Sequence, residues 1–234
     1  HSGSINATTT GSGNVSDYTL EQIRQFRLIY NDGTVSDEPI PTLEEALNVC
    51  KGNIMVNLDK VGDYLDQVIP IMLKTGTEDH VLLKGSNSVV DVKRMLGTYD
   101  NLIYMLVVSL ENEGNNSNAT INDFLDNFKP CAIEVTFNSD NFANLSYTQK
   151  IVEKGSRVWI NSLWSGLCGN HEDEKAMGDP DAHWGWLLQQ NATMLQSDRP
   201  IELVKYLREG WKPTHKVPGF SKKTLNGMSE GAGV

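Results

Sequence analysis

Ile54-Met55-Val56-Asn57-Leu58-Asp59-Lys60 is the stretch whose reading decides the fold. It opens apolar and closes on three polar groups, Asn57, Asp59 and Lys60. A carboxylate at the end of a buried strand is costly to desolvate unless something there requires it. Strand side chains alternate, so Met55, Asn57 and Asp59 are expected on one face, and Val56 and Leu58 on the other. One face is then apolar, and the other turns polar only towards its C-terminal end. A parallel strand in an α/β barrel has this character, with its back on helices and its chemistry at the top.

A helix precedes this strand, and the same unit repeats downstream. Pro41-Thr42-Leu43-Glu44-Glu45 starts a helix with Thr42 as N-cap and Glu45 as its capping-box partner, and Gly52 ends it. Helices are expected near 62–75, 88–96, 120–128 and 146–154. The strands paired with them are 80–84, 102–109, 131–137 and 157–162. A last pair is strand 192–198 and a helix from Pro200 to Arg208, punctuated by Gly210. Strands and helices alternating at this pitch predict a parallel sheet with helices outside. The fold class is therefore α/β, of the TIM (β/α)8 type, with six βα units over residues 41–212. Residues 1–40 read as a loop-rich insertion with a short helix over Leu20–Leu28. Residues 213–234 read as a C-terminal tail.

Polar groups fall late in their strands: Lys84, Ser109, Glu134, Thr136, Asn161, Gln196 and Asp198. In a barrel those ends converge on one mouth. An open doubly wound sheet would instead place a glycine-rich phosphate loop after a strand, and the sequence has neither G-x-G-x-x-G nor a Walker pattern there. Residues 163–185 form a long connection rich in Gly, His, Asp and Trp, in the place of a lid or pocket wall.

Composition bounds the partners. The chain has 234 residues, is 39% hydrophobic and carries a formal net charge of −10. This suits one sizeable core and argues against a general nucleic-acid or anionic-membrane binder. No apolar run approaches a membrane span, so no integral membrane segment is expected. Cys50, Cys131 and Cys168 have no metal spacing and read as buried thiols. N-x-S/T sequons at Asn6, Asn14, Asn115, Asn118, Asn144 and Asn191 would matter only in a glycosylating pathway.

Four segments carry a family resemblance, in collinear order. Ala192–Arg208, A-T-M-L-Q-S-D-R-P-I-E-L-V-K-Y-L-R, resembles the end of the glycerophosphodiester phosphodiesterase family, where a last strand runs into a T-D-R-P turn and the final helix. Arg157–Ser162 is similar to its penultimate strand, and Ile40–Leu47 to the helix before its metal-bearing strand. His1–Gly13, H-S-G-S-I-N-A-T-T-T-G-S-G, resembles the family's H-D-x-x-l-x-R-T-T-x-G-x-G.

The resemblance implies hydrolysis of a glycerol-linked phosphodiester with a divalent metal, Mg²⁺ or Ca²⁺, and a small-molecule phosphodiester as partner. It gives His1 the place of a catalytic histidine, the alternative being a tag-derived terminal residue. Asp59 takes the place of an acidic metal ligand, against a capping or salt-bridged Asp. Lys60 would face phosphate, although the family spaces acid and lysine one residue further apart. Lys84 has the same role, against a solvated strand-end lysine. Glu134, mid-strand between Ile133 and Val135, reads as a pocket residue, and Asn57, Asn161 and Gln196 as ligand hydrogen-bonders. Trp159 is either barrel packing or a substrate wall. His171, Asp173, Asp179 and Asp181 suggest a second metal less well than a solvated acidic lid. Asp198 and Arg199 are expected to tie the turn into the last helix.

The departures from the family are specific. H-R-G on strand one and the E-x-D metal pair on strand two are absent, and Ser2 and Ala7 replace Asp and Arg. Six strands rather than eight leave the chain about fifty residues short of a closed barrel. Two other readings therefore stand beside hydrolysis. One is a non-catalytic phosphodiester-binding relative; the other is a lysophospholipase D-like or sphingomyelinase-like enzyme. The family habit of scavenging phosphodiesters points to a periplasmic or secreted home, with a cytoplasmic one left open.

Overall fold

The computed structural model describes residues 3–97, 99, 101–110, 116–141 and 145–211. The chain divides into two compact units, His1–Val56 with Ile69–His80, and Asn57–Val68 with the chain from Val81 onward.

The first unit corrects the helix expected over 20–28. Only Leu20–Ile23 (α1) is α-helical, and Arg27–Ile29 (β1) pairs antiparallel with Val35–Pro39 (β2). The turn between them explains the exchange. Tyr30 N donates to the Thr34 carbonyl at 2.9 Å, Asp32 Oδ1 accepts from Thr34 N at 2.9 Å, and Gly33 takes φ 84°. An Asp-Gly turn favours a hairpin, and here it outweighs three loosely periodic apolar residues. Thr42 caps Leu43–Cys50 (α2) as expected. Its Oγ1 accepts from Glu45 N at 3.2 Å, and Glu45 Oε2 accepts from Thr42 N at 2.8 Å.

The main sheet has six strands in sequence order: Val56–Leu58 (β3), Val81–Gly85 (β4), Ile103–Ser109 (β5), Ala132–Thr136 (β6), Arg157–Asn161 (β7) and Met194–Gln196 (β8). Each pair from β4 to β8 is parallel. Leu65–Thr75 (α3), Val89–Leu96 (α4), Ser117–Asn127 (α5) and Ser146–Glu153 (α6) alternate with them. A doubly wound sheet reverses its strand order at a switch point; this order never reverses, as in an α/β barrel.

Register then sorts the faces. Lys84 lies beside Met105, Met105 beside Ala132, Glu134 beside Trp159, and Asn161 beside Gln196. Neighbours in register share a face. Leu82, Met105 and Ala132 are buried there, with Ile103, Trp159 and Met194 packed on them. Polar side chains follow on the same face, nearer the C-terminal ends. The alternate residues Val81, Leu83, Tyr104, Leu106, Ile133, Val135, Val158 and Ile160 make the opposite, helix-covered face, each at most 2% exposed. Burial on both faces is why these strands read as near-continuous apolar runs.

Two expectations change. The strand at 54–60 is only Val56–Leu58, with Met55 59% exposed and Asp59 in the turn that follows. The connection 163–185 is not a bare loop. It contains Asp173–Ala176 (α7) and leads through one π-helical turn, Asp181–Gly185, into Trp186–Gln189 (α8). Ala176, Trp184 and Leu188 bury with Leu203 and Tyr206 of the C-terminal helix, which opens at Pro200–Lys205 (α9), and with Trp211. The expected tail, 213–234, lies outside the described residues.

Candidate functional site

Three charged side chains meet: Asp59 just past β3, Lys84 near the end of β4 and Glu134 in the middle of β6. The Lys84 ammonium stands 3.2 Å from Asp59 Oδ1 and 3.0 Å from Glu134 Oε2. Glu134 is 4% exposed and Lys84 8% exposed, whereas the Asp59 side chain keeps 40% of its surface. The topology makes this contact. Glu134 and Lys84 share the polar end of one face, on strands separated only by β5.

Unpaired polar atoms lie on β3 and β7. Asn57 Oδ1 and Trp159 Nε1 are buried with no hydrogen-bond partner among the described residues. A buried donor or acceptor left unmade is costly, and such atoms in a native site commonly await a ligand or water. Asn161 and Gln196 are joined, Asn161 Nδ2 donating to Gln196 Oε1 at 3.1 Å, while Asn161 Oδ1 accepts from Leu163 N at 3.0 Å. Lys60 is exposed and takes φ 58°, a left-handed conformation that turns the chain away from the strand. Of the expected residues, Lys84, Asn161 and Gln196 lie at the C-terminal ends of their strands and Asp59 just past one, while Asn57, Glu134 and Trp159 are mid-strand. Lys60 has left its strand. His1 lies outside the described residues.

The divalent metal implied by the resemblance can be tested on these groups. Two carboxylates approach each other's space, but the cation between them is the Lys84 ammonium, bound to both. A second cation there would press a double charge against a nearly buried ammonium. Among the described residues, no group of three or more His, Cys, Asp and Glu could hold a metal ion. The residues described do not fit the metal.

The segment after β7 was expected to be a solvated acidic lid; two of its residues correct that. Asp173 is 3% exposed and accepts from Ser162 Oγ at 2.6 Å, Trp184 Nε1 at 2.9 Å and Asp198 N at 2.7 Å. It therefore binds the segment to the ends of β7 and β8. Arg199 was expected to tie the turn into the last helix; its Nη2 instead reaches Glu174 Oε1 of α7 at 2.6 Å, and Asp198 is held through its backbone N–H. Gly169, at φ 59°, passes so close to the chain that follows β6 that a Cβ would lie 2.9 Å from Asp140 N and from the Phe137 ring. The sequence did carry a signal for this burial. Two tryptophans and two leucines between 184 and 188 are too apolar for a solvated lid.

His171 is the other correction. It is 8% exposed and stacks on Trp186 at 3.9 Å between centroids, with His183 5.4 Å away. Its Nδ1 lies 2.9 Å from the Ala182 carbonyl, which can only accept, so Nδ1 carries the proton. Nε2 then presents a lone pair, buried and without a hydrogen-bond partner, 3.8 Å from Asp140 Oδ2. Burial pushes the His171 pKa below 6.5; the Ala182 carbonyl and Asp140 oppose this, and His183 and Lys175 reinforce it.

The pH dependence follows. The unfolded chain takes up a proton near pH 6.5 that folded His171 resists. This contribution to stability is complete above that pH and is lost as pH falls through 6.5 towards the lower folded value. Tryptophan emission followed down from pH 8 should hold until about pH 6.5 and change below it, and His171→Phe should remove the change. An inflection above pH 6.5 that survives His171→Phe would refute this account.

The thiols are free. Cys168 is buried and its pKa is pushed up to about 12 by that burial, while Cys131, expected inside, is exposed.

Residues 104–207 match the family model of DUF4996, a domain of unknown function. No curated protein sequence matches the chain. Among solved structures the chain is similar to a glycerophosphoryl diester phosphodiesterase from Parabacteroides distasonis. The TM-score is 0.68 at 20% identity, over 94% of this chain and 73% of that one. A glycerophosphodiester phosphodiesterase from Agrobacterium tumefaciens matches with TM-score 0.55 at 14% identity, over 86% of this chain and 77% of that one. The likeness is one of fold. It agrees with the α/β barrel topology derived from strand order. Among the described residues, no helix is long and apolar enough to cross a membrane.

Proposed function

We propose that this chain is a phosphodiesterase-type α/β barrel that takes a glycerol-linked phosphodiester at the strand ends around Lys84 and hydrolyses it, a water oxygen bonding to phosphorus as the P–O bond to the alcohol breaks, to give an alcohol and glycerol phosphate. The observation that carries the reading is the Lys84 ammonium, held between Asp59 and Glu134 on the polar end of an otherwise apolar sheet face. An ammonium has three protons: one is donated to Glu134 Oε2, Asp59 is ion-paired with the same group, and a proton remains for a phosphoryl oxygen. The carboxylates fix where that proton points. Trp159 Nε1 and Asn57 Oδ1 supply a donor and an acceptor suited to glycerol hydroxyls. Proton delivery to the departing alcohol is assigned to His1 by resemblance alone. Fold similarity to two phosphodiesterases supports the reaction class. A periplasmic or secreted location belongs to the same reading.

Binding without cleavage is the second reading. The carboxylates favour it, since they already offset the charge Lys84 would bring to a phosphoryl group. Release of glycerol phosphate from glycerophosphocholine, glycerophosphoethanolamine and glycerophosphoinositol separates the two. The expected result is turnover that falls by about 100-fold or more in Lys84→Met, the usual scale for losing a charge-stabilising donor. A folded chain that binds these compounds and leaves all of them intact would replace hydrolysis with binding.

A further inference from the structure

We infer that Lys84 is the resident cation of this site, and that its ammonium fills the position between Asp59 and Glu134 that a divalent metal would need. The inference rests on the reading of this mouth as the ligand site, and it concerns how the site balances its charge. Hard divalent cations are held by carboxylate oxygens, and the two carboxylates of this site converge on the Lys84 nitrogen instead. Lys84 is 8% exposed on a strand and is paired with both carboxylates, so an ion could enter only by displacing a buried, paired ammonium. Metal and ammonium are therefore alternatives for one place, and in this chain the ammonium holds it.

The same geometry predicts what removing the ammonium does. Asp59 and Glu134 would then face each other across a vacated space with two negative charges. That is the beginning of a hard-cation site. Lys84→Met keeps the unbranched stem on the sheet face and deletes only the charge.

The test is Mg²⁺ and Ca²⁺ binding to the full chain without substrate, by titration calorimetry and by melting temperature. The unsubstituted chain should show no binding that depends on Asp59 or Glu134. Lys84→Met should melt lower than the parent and gain about 5–10 °C with Ca²⁺ at a hundredfold excess over its Kd. That gain should vanish in Lys84→Met/Glu134→Gln. Divalent-ion binding by the unsubstituted chain that is lost in Asp59→Asn would overturn the inference, and it is measurable even if Lys84→Met does not fold. A folded Lys84→Met that gains no ion binding would also overturn it. Failure of glycerophosphodiester turnover leaves these metal titrations unaffected, so the two readings fail separately.

Discussion

Lys84→Ala is expected to destabilise the chain by about 3–5 kcal/mol, the range for removing one partner of a buried ion pair. The size follows from what is left behind. Glu134 is 4% exposed and its Oε2 lies 3.0 Å from the ammonium, so deleting the cation strands a carboxylate on the inner face of the sheet. Asp59 suffers less, because 40% of its side chain already meets solvent. For a domain of this length, each kcal/mol corresponds to about 2–4 °C of melting temperature, so a fall of about 10 °C is expected. The double substitution Lys84→Met/Glu134→Leu removes both charges and restores an apolar contact. It should recover most of the loss, as replacements of buried pairs often do. A Lys84→Ala chain that melts within a degree of the parent would mean that the pair does not persist in solution.

Asp173→Ala is expected to cost about 3–4 kcal/mol, because it strips the acceptor from several donors at once, each worth about 1–3 kcal/mol when buried and unmade. Trp184 Nε1 and Asp198 N lose the acceptor they have here. Ser162 Oγ is partly spared, since it also reaches the Gln196 carbonyl oxygen at 2.8 Å. Asp173→Asn keeps the shape and one acceptor oxygen and should cost roughly half as much. Urea denaturation measures the sum. Hydrogen exchange locates it: faster exchange in Asp173→Ala should concentrate in residues 163–190, which this carboxylate ties to the ends of β7 and β8. Uniform acceleration over the whole sheet, or none in that segment, would show that the segment is held by its apolar cluster instead.

Much of this architecture is legible in the linear chain. Apolar runs such as Val81–Leu83 and Ala132–Val135, set between helical patterns with caps like Thr42 and Glu45, demand strands covered on both faces. That requirement selects a parallel sheet before any contact is known. Glu134 stands out for the same reason, as one carboxylate among residues with nowhere to hydrate it. The hairpin at 27–39 was hidden, because β1 has only three residues and its pairing depends on the Asp32-Gly33 turn. Local periodicity cannot rank a turn against a short helix.

What only the tertiary structure decided is which charges meet. Asp59, Lys84 and Glu134 lie on β3, β4 and β6 or just past their ends, with whole helices between them in sequence. Nothing in spacing says that the ammonium, rather than a metal, closes the gap between the two carboxylates. Asp173 and His171 reverse from expected solvation to burial for a related reason. An Asp and a His in a polar run look hydrated until the segment folds back on itself and on the sheet: Trp184 and the Ala182 carbonyl come from further along the same segment, Ser162 and the Asp198 amide from the ends of β7 and β8. The cost of burying a side chain is written in its own chemistry, so sequence determines the apolar layers. The compensation for burying a charge comes from distant groups, so only the folded chain determines the site.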